Sequence, residues 1–89
     1  MRYQYFTEGT CSKVIAFDLD GDVVSNIYYF GGCNGNLQAV SRLVDGMTVD
    51  EIEEKLLGIQ CGPKPTSCSD QLAKAVRAAY EGWLAPVSE

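Results

Sequence analysis

Apolar and polar positions alternate through the first third of the chain and then give way to an apolar spacing of three to four residues. Tyr3 to Thr7, Lys13 to Asp20 and Val23 to Phe30 are rich in aromatic and β-branched residues, which predicts three strands. Asp20-Gly21-Asp22 is a hairpin signal between the last two. Folding the chain about Gly21 sets Ile15 opposite Ile27 and Leu19 opposite Val23, and the two-residue period adds Phe17 to that face. The same face is the expected core side of an antiparallel meander.

Three helices are expected next. Asn36 to Val44 carries Leu37, Val40 and Val44 on one stripe, with Gly46 as a stop. Thr48 and Glu51 have capping-box spacing, Met47 and Ile52 have that of a hydrophobic staple, and Val49, Ile52 and Leu56 form the buried stripe up to Gly58. A longer helix is expected from Ser69 to Leu84, with Leu72, Val76, Ala79 and Trp83 inward and Pro86 beyond its end. The order β-β-β-α-α-α predicts an α+β domain, a three-stranded antiparallel sheet with three helices packed on one face.

At 89 residues the chain is expected to form a single domain over 1–89, near the size at which a core only just offsets the entropy of folding. A metal, a disulfide or a partner chain would help it. Twelve acidic against seven basic residues give a net charge of −5 with no basic cluster, so nucleic acid and acidic membranes are not expected partners. The N-terminus lacks an apolar leader segment and no apolar run is long enough to span a bilayer, which predicts a cytoplasmic protein.

The chain has four cysteines, Cys11, Cys33, Cys61 and Cys68, and no histidine. Histidine is the usual general base near neutral pH, so unusual chemistry here falls to sulfur. The hairpin register puts Cys11 beside Gly31 and Gly32, at the end of the sheet where Cys33 follows. Cys33 and Cys68 each precede a helix, where unpaired N–H groups and the helix dipole favour a thiolate. Cys61 lies in a Gly- and Pro-containing loop leading to Cys68 and could add a fourth sulfur, the number that structural zinc or an iron–sulfur cluster takes. No C-x-x-C pair is present, so buried structural cysteines and redox pairs, Cys61 with Cys68 or Cys11 with Cys33, stay open beside a metal site.

Other groups read as structural. Gly31-Gly32-Cys33-Asn34-Gly35 lacks the order of a phosphate-binding loop and suits a tight turn. Asp18, Asp20 and Asp22 sit around a hairpin, and Glu51, Glu53 and Glu54 make a solvated helix face, so no catalytic carboxylate pair is expected. Asp70, in the first turn of the last helix, complements its dipole. Lys13, Arg42 and Lys64 would lower thiol pKa values wherever they approach the cysteines.

Thr66-Ser67-Cys68-Ser69-Asp70, with Gly58-Ile59-Gln60-Cys61 and Gly31-Gly32-Cys33 before it, resembles the TSCPD domain, named for its Thr-Ser-Cys-Pro-Asp motif. Ser69 replaces the motif's Pro. The domain occurs in small stand-alone proteins and at the C-terminus of vitamin B12-dependent ribonucleotide reductases. The resemblance implies a site at Cys11, Cys33, Cys61 and Cys68 and an accessory relation to deoxynucleotide synthesis. It does not imply a reductase, whose catalytic barrel does not fit in this length.

A more distant resemblance is to the U-type iron–sulfur cluster scaffold proteins, through Cys11, Phe30-Gly31-Gly32-Cys33 and Lys64-Pro65-Thr66-Ser67-Cys68-Ser69-Asp70-Gln71-Leu72-Ala73. Lys13 and Ser67 stand where scaffolds hold Asp and His, and Cys61 supplies a replacement sulfur. Four thiolates favour retention over transfer, which points to zinc or a stable cluster. The expected function is a four-cysteine accessory or interaction domain, with zinc as cofactor and a ribonucleotide reductase catalytic chain as partner. An iron–sulfur scaffold or carrier serving an acceptor protein is the alternative, and a thiol redox partner the third reading. Tyr28 and Tyr5 are expected to be exposed, and a homodimer through them stays open.

Overall fold

The computed structural model describes residues 1–7, 12–31, 34–60 and 66–87. Three antiparallel strands, β1 (Arg2–Phe6), β2 (Ser12–Asp20) and β3 (Val23–Gly31), lie in the order β1-β2-β3. The helices α1 (Asn34–Val44), α2 (Val49–Leu56) and α3 (Cys68–Tyr80) follow. α1 packs on β3, α3 on β2, and α2 on α3, which gives the expected α+β architecture. No helix among the described residues is long and apolar enough to cross a membrane.

The covered face of β2 is the expected one: Ile15, Phe17 and Leu19 are buried, and Phe17 stacks on Tyr3 of β1 at 5.7 Å between ring centroids. The register with β3 differs from the simple fold about Gly21. Asp20 pairs with Val23 and Leu19 with Val24, whereas Ile15 pairs with Tyr29 and Ala16 with Tyr28. Between Asp18–Ser25 and Ala16–Tyr28, two residues of β3 oppose one of β2. This bulge centres on Asn26, whose φ of 51° is in the left-handed region that Asn tolerates better than most residues. Val24 and Ile27, an odd number of positions apart, can therefore both face the core, while Val23 turns outward.

Asn26 is held on all sides. Its N–H donates to the Asp45 carboxylate (2.9 Å), its side-chain amide donates to Asp18 (2.8 Å), and its carbonyl accepts from Arg2 (3.0 Å). Arg2 also pairs with Asp18 at 3.2 Å. Gly21, the first of the two turn residues, takes the positive φ (64°) required of a Gly-first hairpin turn.

The helix signals near residue 48 are met. Thr48 caps α2 with the reciprocal Glu51 bond of a capping box, Ile52 is fully buried, and Met47 packs against the core. Leu37, Val40 and Val44 face the core from α1. α3 departs from expectation at its end, stopping at Tyr80 instead of Leu84. Gly82 (φ 81°) reverses the chain, the Trp83 N–H bonds the Ala78 carbonyl and the Gly82 N–H bonds that of Ala79, which is a Schellman ending. Trp83 thus leaves the apolar stripe and is 74% exposed. The chain then returns to the sheet, where the Val87 N–H donates to the Arg2 carbonyl (2.8 Å).

The Asp18 carboxyl is held below its ordinary pKa, chiefly by the Asn26 amide; partial burial opposes this and Arg2 adds to it. A lowered folded-state value contributes stability above the ordinary carboxylate range near pH 4, and that contribution is lost as pH falls through the lowered value. Asp18→Asn is expected to lower the urea midpoint at pH 7, and the gap to the parent protein is expected to close in acid. Urea titrations of both proteins across pH check this; a gap independent of pH would contradict it.

Candidate functional site

Of the four expected ligands, Cys68 alone lies among the described residues; Cys11, Cys33 and Cys61 lie outside them. Cys68 is the first helical residue of α3, behind the N-cap Ser67, and is half-buried against the core. This is the end of the helix whose dipole favours negative charge. Tyr29 comes up from β3 beneath it and donates its hydroxyl to the Cys68 carbonyl (3.2 Å). Burial, followed by the negative charge that a Cys68 thiolate places nearby, pushes the Tyr29 hydroxyl far above its ordinary pKa, so it keeps its proton and acts as a donor.

Residues next to the other three cysteines can be followed. Ser12, one position after Cys11, pairs with Gly31, two positions before Cys33, at one end of the sheet. Tyr29, two residues before Gly31, links that end to Cys68. Ile59, two residues before Cys61, accepts a bond at its carbonyl from the Ser67 hydroxyl (2.6 Å). The described neighbours of the cysteines are thus linked pairwise, Ser12 with Gly31 at the end of β3, Tyr29 of β3 with Cys68, and Ile59 with Ser67 at the start of α3.

A polar cluster around Asp70 holds this region together. Its carboxylate is 3% exposed and accepts from the Gly58 N–H (2.7 Å), the Thr66 hydroxyl (2.5 Å) and the Lys74 ammonium (3.1 Å). Gln71 donates its side-chain amide to Thr66 (3.0 Å), and the Asp70 N–H bonds the Ser67 hydroxyl (3.1 Å). Burial acts to raise the Asp70 pKa, but the bonds from Thr66, Gly58 and Lys74 outweigh it and hold the carboxyl below its ordinary range. Asp70 does more than complement the helix dipole: it ties the exit of α2 to the start of α3 and so closes both ends of the segment containing Cys61.

The roles of Thr66, Gln71 and Gly58 are not evident from periodicity. A weak signal was present in two adjacent polar residues, Asp70 and Gln71, immediately ahead of the buried Leu72. The motif's departure from Pro at Ser69 is also explained. Ser69 is the second residue of α3, where the N–H has no intrahelical acceptor, so Pro and Ser both fit without loss of a helix bond. Among the described residues, no group of three or more Cys, Asp or Glu side chains is placed to hold a metal ion.

Asp70→Ala would leave the Gly58 N–H and the Thr66 hydroxyl without their acceptor, at a cost on the order of 2–3 kcal/mol. Lys74→Ala removes a half-exposed partner and is expected to cost under about 1 kcal/mol. Urea unfolding of both variants checks the order, and equal losses would mean that the ion pair, and not the loop closure, is the stabilising element.

No curated protein and no solved structure matches the chain. The family model described as "TSCPD domain" matches residues 1–80, a span that contains all four cysteines and every strand and helix of the fold. The chain belongs to the TSCPD domain family.

Proposed function

We propose that the protein is a metal-binding accessory module in which Cys11, Cys33, Cys61 and Cys68 hold one zinc ion, and that it serves a ribonucleotide reductase catalytic chain in deoxynucleotide synthesis without being catalytic itself. The observation that carries the reading is the family match over residues 1–80, supported by the links of Ser12 to Gly31, Tyr29 to Cys68 and Ser67 to Ile59 among the cysteines' described neighbours. Cys68 suits a ligand role by position, half-buried at a helix start and fixed through its carbonyl by Tyr29.

Zinc bound to four thiolates is tetrahedral and closed, with no open position for substrate, so the ion would be structural. Its binding free energy would then also be folding free energy in a small domain. The Asp70 cluster would pre-order the segment between Gly58 and Thr66 and reduce the entropy lost when Cys61 joins Cys68 on a metal. A cytoplasmic location follows from this role, since thiols stay reduced there.

Elemental analysis with an absorption spectrum, on protein purified anaerobically without a metal-binding tag, tests the site. About one zinc per chain and no visible band are expected. Each of the four Cys→Ser variants is expected to lose zinc and to unfold at lower urea, and chelation of the parent protein is expected to do the same. Iron with visible absorbance would replace this reading with the iron–sulfur one, and metal-free protein with two readily formed disulfides would replace it with thiol redox chemistry. The partnership is tested by mixing the zinc-loaded protein with a B12-dependent reductase catalytic chain lacking its own TSCPD domain; binding with increased turnover is expected, and neither effect would remove the accessory role.

A further inference from the structure

β3 is an edge strand, and its two halves are finished differently. Along the first half, Val24 exchanges main-chain bonds with the segment after α1: its N–H donates to Met47 (2.8 Å) and its carbonyl accepts from Gly46 (2.7 Å). The Val49 N–H donates to Asp22 (2.9 Å), and Val23 bridges Thr48. Along the second half, no main-chain bond from outside the sheet reaches residues 27–31 among the described residues. The two-residue hairpin makes Asp20–Val23 a hydrogen-bonded pair, so alternation carried through the bulge leaves the main-chain groups of Ile27 and Tyr29 directed away from β2.

A cleft of about 280 Å³ runs along this open half, between β3 at Ile27 and Tyr29 and the face of α1 that presents Gln38, Ser41 and Arg42. A strand edge beside a helix is the geometry that accepts an extended peptide by strand addition. The charge of the cleft narrows the choice of occupant. In a chain with twelve acidic and seven basic residues, the described residues lining the cleft include one cation, Arg42, and no carboxylate. Arg42 makes no ion pair among the described residues.

A second copy of this chain fits less well. It would bring another net charge of −5, and the open edge is five residues long, about 17 Å, which is short for the area a stable dimer buries. The outer face beside the edge is apolar, with Tyr28 and Phe30 exposed and their ring centroids 4.9 Å apart. An added strand would place alternate side chains next to these rings.

We propose that the open half of β3 and the cleft beside α1 form a docking site for an extended, apolar segment of a partner protein that carries an acidic side chain for Arg42 and pairs with β3 as a fourth strand. The site does not use the cysteines, so it stands or falls separately from the metal reading.

Random heptapeptides displayed on phage and selected against the full folded chain test it. Enriched sequences are expected to alternate apolar residues and to share Asp or Glu at one position. An enriched peptide titrated into isotope-labelled protein is expected to shift the amide signals of residues 27–31 and 37–42. Arg42→Gln is expected to weaken that peptide about two- to five-fold, and N-methylation of its alternate amides at least about ten-fold. No enrichment, enrichment without an acidic position, or shifts elsewhere would overturn the proposal. Sedimentation showing dimers whose 27–31 amides are protected without peptide would give the edge to a second copy and overturn it equally.

Discussion

A carboxylate removed from water must be met by donors, and Asp70 is met from three directions. The backbone at the exit of α2, the hydroxyl of Thr66 and the next turn of α3 all close on its two oxygens. Other ties across the fold, such as Val24 with Gly46 and Met47 and Tyr29 with Cys68, join one element to another, whereas Asp70 gathers three donors on one group. The segment between Gly58 and Thr66 has its ends fixed by this group and by the Ser67–Ile59 bond. Because the donors share one acceptor group, their contributions are expected to couple and not simply to add.

Features written in short stretches of sequence were legible. The capping box of Thr48 and Glu51, the burial of Ile52 with Met47 packed against the core, and the inward face of β2 follow from spacings of two to five residues, and the structure has each of them. The β3 face was legible only in part: Ile27 is in the core as expected but Val23 is exposed, because the Asn26 bulge changes the parity of the strand and needs Asp18, Arg2 and Asp45 from elsewhere to hold it. At the end of α3 two signals competed. The apolar period ran on to Trp83, while Gly82 offered a left-handed stop, and the backbone preference prevailed. For the site, the Cys68 position at a helix start was readable, but the Asp70 cluster was not, since its donors Gly58 and Thr66 come from outside the helix and the adjacent Asp70 and Gln71 ahead of Leu72 are only a weak local signal.

The sheet is asymmetric. One face carries the core, and the other leaves Phe6, Tyr28 and Phe30 in contact with solvent. Tyr5, expected beside Tyr28 on an exposed surface, packs instead against the core side. Edge strands invite unwanted pairing, and the chain limits this with its own backbone: the segment after α1 runs along the first half of β3, and Val87 bonds the edge of β1. Three strands are few for an independent sheet, so these borrowed bonds also add to the regular structure holding the helices.

The Schellman turn at Gly82 has a consequence for how the domain can be tethered. By sending the chain back to Arg2 it brings residue 87 beside residue 2, and Arg2 pairs with Asp18 near the hairpin end of the sheet. Ser12 and Gly31, the neighbours in sequence of Cys11 and Cys33, lie at the opposite end of β2, about 20 Å from Asp18 along the strand. A linker leaving from either position would thus depart from the end of the sheet remote from Ser12 and Gly31, and that pair would face outward from whatever the domain is joined to.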